Sequence, residues 1–306
     1  AFLYASIAAI IGMRVRAKCN ESGLNHYMGI AISAFIATML AWASTLLPAE
    51  WTSTPWHPLL ACALFIVPGV PLINFVDDML DNYIQVGIVR AVNTLLMVSA
   101  MAFGIAFAVK LCSIGDFFPT ISMVPHHQYW EYAIAAAISA MGFSMIFNIQ
   151  RRLLWVVAIG GIIAVCTRNF VNLGPSTDNI GLDMGLVIGS FSGAVLVSLI
   201  AIKAVHWFHV PNHVLTIPSV IPMIPGVLMY RMLFGLINMN VQSIDQVTPL
   251  MKAIESGVNS GLVIMCIALG VAIPNIFGRK YIASSKNKRL AEILKERKAR
   301  GKFVEW

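Results

Sequence analysis

Residues 185–201 read GLVIGSFSGAVLVSLIA, and residues 27–47 read YMGIAISAFIATMLAWASTLL. Neither stretch contains an ionised side chain. An α-helix rises about 1.5 Å per residue, so each stretch is long enough to cross a hydrocarbon core roughly 30 Å thick. The chain lacks the alternation of a β-strand, and a helix satisfies its backbone hydrogen bonds internally in lipid. The sequence therefore predicts an all-α, polytopic transmembrane protein.

The composition of the whole chain agrees with this class. Of its 306 residues, 58% are hydrophobic and 11% are charged, whereas soluble domains carry roughly 25% charged residues. The formal net charge is +7, and the basic residues concentrate in 279–302 and in the short segments 14–18 and 151–152. This pattern is typical of cytoplasmic loops beside anionic lipid, so we expect contact with membrane lipid and not with nucleic acid.

Motifs of ATP-driven pumps, hydrolases and metal centres are missing from the sequence. It contains no GxGxxG, Walker A, GxSxG or HExxH pattern, and its five cysteines are scattered. We therefore expect no cofactor, no bound metal and no enzymatic activity.

About nine membrane spans can be placed along the chain. With the basic tail 279–306 in the cytoplasm, the short basic segments also lie inside, and the outside loops 48–58 and 114–129 contain neither Lys nor Arg. We therefore expect a multi-pass protein with a cytoplasmic C-terminus. The predicted spans are 1–13, 27–47, 59–76, 91–113, 130–149, 153–171, 184–207, 214–236 and 257–277.

The chain repeats one proline–glycine motif. VPGVPLI at 67–73 recurs as IPGVLMY at 224–230, an offset of 225 − 68 = 157 residues. On the predicted topology the two copies run in opposite directions, as in the inverted repeats with broken helices of many transporters. We predict a first repeat at 1–114 and a second at 127–278. The first contains four spans and the second five, so the tenth helix of two five-helix repeats is expected upstream of residue 1.

The two motifs predict a substrate site. Each proline leaves a helical carbonyl without its donor, and a glycine lets a ligand approach the backbone closely. Freed carbonyls at membrane depth are tolerated in protein or beside a wet cavity; a kink for helix packing is the alternative. Arg231 could hold an anion, as could Arg168, whereas Asn74 could equally join two helices. The substrate-binding candidates are Pro68, Gly69, Pro71, Asn74, Pro222, Pro225, Gly226, Tyr230 and Arg231.

An acidic segment follows the first motif. Asp77, Asp78 and Asp81 form a DDxxD pattern, which in membrane prenyltransferases holds Mg²⁺ and a diphosphate. Such a site needs a second acidic cluster, and we find none. The alternatives are a solvated acidic loop, a proton-coupling role for Asp77 or Asp78, or pairing of these carboxylates with Arg90 across the following turn, as a gate.

The motifs resemble those of a known family. LFIVPGVPLINFVDDM at 64–79 and GIVR at 87–90 resemble the first domain of the threonine/serine exporter family. IPSVIPMIPG at 217–226, with Tyr230, and GFSMIFN at 142–148 resemble its second domain. The resemblance implies a ten-helix exporter of the bacterial inner membrane, with a cytoplasmic domain before the first helix. It also implies proton-driven export of threonine and serine.

The resemblance leaves the substrate open. A split, two-gene branch with similar motifs is linked to succinate export, and the residues do not decide between an amino acid and a dicarboxylate. The oligomeric state is open too, because Gly185, Gly189 and Gly193 form a GxxxGxxxG face that could pack helices within one chain or join two chains in a homo-oligomer.

Overall fold

The computed structural model describes residues 2–46, 58, 67–112, 128–175, 180–208, 210–237 and 247–299. These residues form helices joined by short connections, and they include no β-strand. The all-α prediction is confirmed. Short 3₁₀ turns occur at Ser44–Leu46, Arg151–Leu153 and Ile221–Met223. The helices are α1 (Phe2–Glu21), α2 (His26–Ala43), α3 (Gly69–Leu80), α4 (Ile84–Leu111), α5 (Tyr129–Ile146), α6 (Leu154–Asn172), α7 (Leu186–Phe208), α8 (Asn212–Val220), α9 (Gly226–Ile237) and α10 (Val247–Ala299).

Several of the described helices can cross a membrane. By length and composition, five stretches qualify: His26–Ala43, Ile84–Leu111, Arg151–Asn172, Leu186–Val205 and Leu250–Gly278. The count of nine spans remains a prediction. Part of the predicted span 59–76 lies outside the described residues, and the predicted span 214–236 is divided between α8 and α9.

Some helix ends differ from the predicted span boundaries. Helix α1 continues to Glu21, so the basic residues 14–18 lie on its last turns, and α4 begins at Ile84, so Arg90 is helical. Helix α10 continues through the basic tail to Ala299. Hydropathy locates the lipid-embedded part of a helix, whereas Lys, Arg and Glu extend a helix readily beyond it.

The chain forms two compact units that do not follow the order of the sequence. One comprises Ala1–His126 with Ile224–Met265, and the other comprises His127–Met223 with Cys266–Trp306. Helix α9 and the first part of α10 therefore belong with α1–α4. The predicted repeats 1–114 and 127–278, and the tail 279–306, describe the sequence and remain predictions.

The core of the first unit joins α1, α2 and α4. Ile30 on α2 and Met101 on α4 are fully buried in one hydrophobic cluster. Helices α2 and α4 approach each other closely at Gly104, which has no Cβ. A Cβ at this position would meet the backbone carbonyl of Ala31. Helix α1 is fixed to α2 by the buried Ser33 hydroxyl, which donates to the Gly12 carbonyl at 2.7 Å.

Small residues bring the helices of the second unit together. A Cβ at Gly189 would lie 2.6 Å from the Arg168 carbonyl oxygen, and one at Gly193 would lie 2.5 Å from that of Ala164. Two residues of the GxxxGxxxG face therefore pack α7 against α6 within this unit.

Candidate substrate and coupling site

The first proline–glycine motif folds as a tight turn that begins helix α3. The Gly69 N–H donates to the Val67 carbonyl at 2.8 Å, and Pro68 between them has φ −77° and ψ 66°. These values define an inverse γ-turn. The Pro68 carbonyl then accepts from the Leu72 N–H at 3.0 Å, which begins the hydrogen-bond ladder of α3.

The second motif has the same hydrogen bonds. The Gly226 N–H donates to the Ile224 carbonyl at 2.8 Å, and the Pro225 carbonyl accepts from the Met229 N–H at 3.2 Å. Each of these four residues lies 157 positions after its counterpart in the first motif, as 226 − 69 shows. The repeat in sequence is therefore also a repeat in local backbone structure.

The other prolines differ in what they do. Pro71 lies in the first turn of α3. Backbone N–H groups in the first turn have no acceptor within the helix, so the missing N–H of Pro71 costs little. Pro222 and Pro225 instead leave the carbonyls of Pro218 and Ile221 without their ordinary helical donors. Helix α8 consequently ends at Val220 and passes through a 3₁₀ turn before the second motif.

Both motifs lie in the first unit. Val67 and Ile224, which precede the two prolines, pack against a single hydrophobic cluster that includes Leu72 and Met229. This brings Pro68, Gly69 and Pro71 into one unit with Pro225 and Gly226. Pro222 belongs to the second unit.

The polar candidates near the motifs are partly accessible. Asn74 on α3 and Arg231 on α9 are half-buried. Tyr230 lies on α9, and its side chain is outside the described part of the structure.

The acidic segment ends helix α3 in a compact turn. The Tyr83 N–H donates to the Asp78 carbonyl at 2.8 Å, and Asn82 adopts a left-handed conformation with φ 68°. This is a Schellman-type helix end. Gly87 on α4 lies against α3, since a Cβ there would be 2.9 Å from the Phe75 carbonyl oxygen. The two helices therefore form a tight hairpin.

One ion pair crosses this hairpin. The Arg90 guanidinium donates to the Asp78 carboxylate, and their side chains are 47% and 21% exposed respectively. The pairing across the turn, one of the alternatives for this segment, is therefore present. Asp77 and Asp81 are half-buried on the same helix end.

A neighbouring turn of α4 extends the polar contacts to α2. The Tyr27 hydroxyl donates to Asn93 Oδ1 at 2.7 Å, and the Thr94 hydroxyl donates to the Arg90 carbonyl at 2.7 Å. Positions three and four residues apart share a helix face, so Arg90, Asn93 and Thr94 lie together. Sequence reasoning missed Tyr27, for which the only signal was a hydroxyl at the start of an apolar stretch.

The second unit contains a polar pair that the sequence did not reveal. The Asn212 side-chain amide on α8 donates to Asn275 Oδ1 on α10. Each asparagine directly follows a proline, Pro211 or Pro274. That shared position was the only available signal.

No group of three or more His, Cys, Asp or Glu side chains in the described ranges is arranged to hold a metal ion. Arg90 also occupies the Asp78 carboxylate that a DDxxD site would need.

The fold defines the class: a helical protein in which five of the described stretches are long and apolar enough to cross a membrane. Residues 132–277 match the family described as "Threonine/Serine exporter, ThrE", and residues 1–112 match a second threonine/serine exporter domain. The chain therefore belongs to the threonine/serine exporter family.

A curated relative carries a different substrate in its name. "Probable succinate transporter subunit YjjP" of Klebsiella aerogenes is 31% identical over 104 residues, which are 34% of this chain and 40% of that protein. The chain thus spans less than half the length of this relative. No solved structure gives a significant match.

Proposed function

We propose that this protein is a secondary transporter that exports threonine or serine from the cytoplasm and is driven by protons. The observation that supports it best is the pair of proline–glycine turns with equivalent hydrogen bonds, which pack against one core in one unit. Family membership supports the substrate class.

The substrate would bind beside the two turns of the first unit. Backbone groups near Pro68, Gly69, Pro225 and Gly226 would contact its polar groups, because each turn carbonyl has a second lone pair beside the hydrogen bond that it already accepts. Arg231, half-buried on α9, would hold the carboxylate through its planar fork of donors.

Proton coupling would act through the α3–α4 hairpin. Asp78 is the C-terminal anchor of α3, whose other end is the first proline–glycine turn. Protonation of Asp78 would remove the charge that holds Arg90, and α3 could then move against α4. Asp77 is the second candidate for the proton.

The architecture that fits this function is a pair of inverted repeats at 1–114 and 127–278. The tail 279–306 would lie in the cytoplasm, and the protein would reside in the bacterial inner membrane. The orientation is supported by the basic residues at 14–18, 151–152 and 279–302.

Succinate is the second candidate substrate, and the named relative favours it. A dicarboxylate needs two cationic or donor-rich ends, whereas an amino acid needs one such end and an acidic or carbonyl-rich partner for its ammonium group. A homo-oligomer is compatible with either substrate.

The test is efflux from proteoliposomes loaded with labelled threonine or labelled succinate, with and without an imposed pH gradient. We expect gradient-dependent release of threonine, and loss of release in Arg231→Ala with normal insertion. Release of succinate alone would replace the substrate, and release of neither label by the folded protein would refute the proposal. Normal efflux by Arg231→Ala would remove Arg231 from the site.

A further inference from the structure

The guanidinium of Arg168, in the second unit, has no carboxylate partner among the described residues. Arg168 lies on α6, inside the membrane-crossing stretch Arg151–Asn172, and is partly buried. A cation at this depth is costly unless it is paired, so an arginine there indicates a functional site.

Asn169 holds this guanidinium from one side. Arg168 Nε and Nη2 both donate to Asn169 Oδ1, at 3.2 and 3.1 Å, and Asn169 is only 4% exposed. A guanidinium has five N–H donors. The Nη1 edge makes no hydrogen bond within the described part of the chain, and it remains available for a bidentate acceptor.

Residues 180–184, called the strap here, form backbone hydrogen bonds with the C-terminal end of α6. The N–H groups of Leu182, Asp183 and Met184 donate to the carbonyls of Phe170, Leu173 and Val171 at 2.9 to 3.0 Å. The Tyr129 hydroxyl donates to the Ile180 carbonyl at 2.6 Å and fixes the strap to α5. The carbonyls of Phe170 and Val171 at the end of α6 therefore already accept hydrogen bonds from the strap. Carbonyls at the C-terminal end of a helix otherwise interact favourably with a cation.

We propose that Arg168, positioned by Asn169, forms a carboxylate-binding site for the exported metabolite in the second unit, separate from the Arg231 site of the first unit. A planar guanidinium matches a carboxylate through two parallel hydrogen bonds. The metabolite as ligand rests on the proposed function, whereas recognition of a carboxylate does not.

The experiment measures equilibrium binding of labelled threonine and labelled succinate to the full chain in nanodiscs, without a gradient. We expect Arg168→Gln to bind the recognised label at least tenfold more weakly and Arg168→Lys to fall between, because lysine keeps the charge but lacks the fork. Threonine methyl ester, which lacks the carboxylate, should not compete. Arg152→Gln is the matched control, because the exposed Arg152 bonds only the neutral Gln150.

One result would overturn the site: Arg168→Gln or Arg168→Lys, monodisperse and folded, binds both labels as the wild type does. Should Arg168→Gln not fold, Arg168→Lys carries the test, and wild-type affinity in that variant would count against the site.

Efflux by the same proteins separates this site from the proposed function. If wild-type vesicles release neither label while binding depends on Arg168, the export proposal fails and the carboxylate site stands. If efflux is normal in the wild type and in Arg168→Gln, and binding is unchanged, the site fails and the export proposal stands.

Discussion

The ion pair between Asp78 and Arg90 allows a quantitative test of the coupling hairpin. At 4 Å, two unit charges interact by about 1 kcal/mol in water and about 4 kcal/mol at an effective dielectric constant of 20. Arg90 is 47% exposed and Asp78 21% exposed, so solvent screens the pair strongly. We therefore expect the interaction energy of this pair to be about 1 kcal/mol, at the upper end of the range for exposed ion pairs.

A double-mutant cycle in reversible unfolding measures this energy. Asp78→Asn, Arg90→Gln and the double variant should give an interaction energy of about 1 kcal/mol, which higher salt reduces. Asp78→Asn combined with Arg152→Gln is the control and should be additive, because Arg152 bonds a neutral glutamine. An interaction energy indistinguishable from zero would refute a stabilising pair.

The same variants test proton coupling. Asp78→Asn resembles the protonated carboxyl group and cannot cycle its charge, so export by this variant should no longer respond to an imposed pH gradient. The proteoliposome assay measures this response, with Asp81→Asn as the comparison at the same helix end. A full gradient response in Asp78→Asn would exclude Asp78 as the proton carrier and leave Asp77.

Two further predictions concern packing. Gly104→Ala should destabilise the protein by about 1–3 kcal/mol, because the new Cβ meets the Ala31 carbonyl; Gly142→Ala, with open space around it, should be neutral or stabilising, and chemical unfolding compares the two. Asn212→Ala should cost about 1–3 kcal/mol because it leaves Asn275 Oδ1 buried without its donor. The double variant Asn212→Ala with Asn275→Ala should cost less than the sum of the two single changes, and additive costs would contradict the pairing.

The helical class and the two proline–glycine turns were predictable because their signals are local. Uncharged stretches long enough to cross lipid require helices, and the residues of each VPG or IPG turn determine its geometry. The Asp78–Arg90 pair was predictable for the same reason, because only one turn separates the helices that carry these residues.

The remaining features depend on partners distant in sequence. Nothing in residues 224–265 indicates that they join the first unit. The contact of Tyr27 with Asn93 joins residues 66 positions apart, and the strap on α6 forms through backbone groups that any sequence possesses. Hydropathy reports how deep a segment lies in lipid, not which neighbour it meets.

The division into units has a consequence for how the polypeptide can be assembled. Helix α9 and residues 247–265 are synthesised with the second half of the chain but complete the unit of the first half. A polypeptide severed within residues 113–127 would therefore yield a first fragment that lacks part of the first unit. The second fragment would carry that missing part together with the whole of the second unit. The two fragments would have to be co-expressed for the first unit to form.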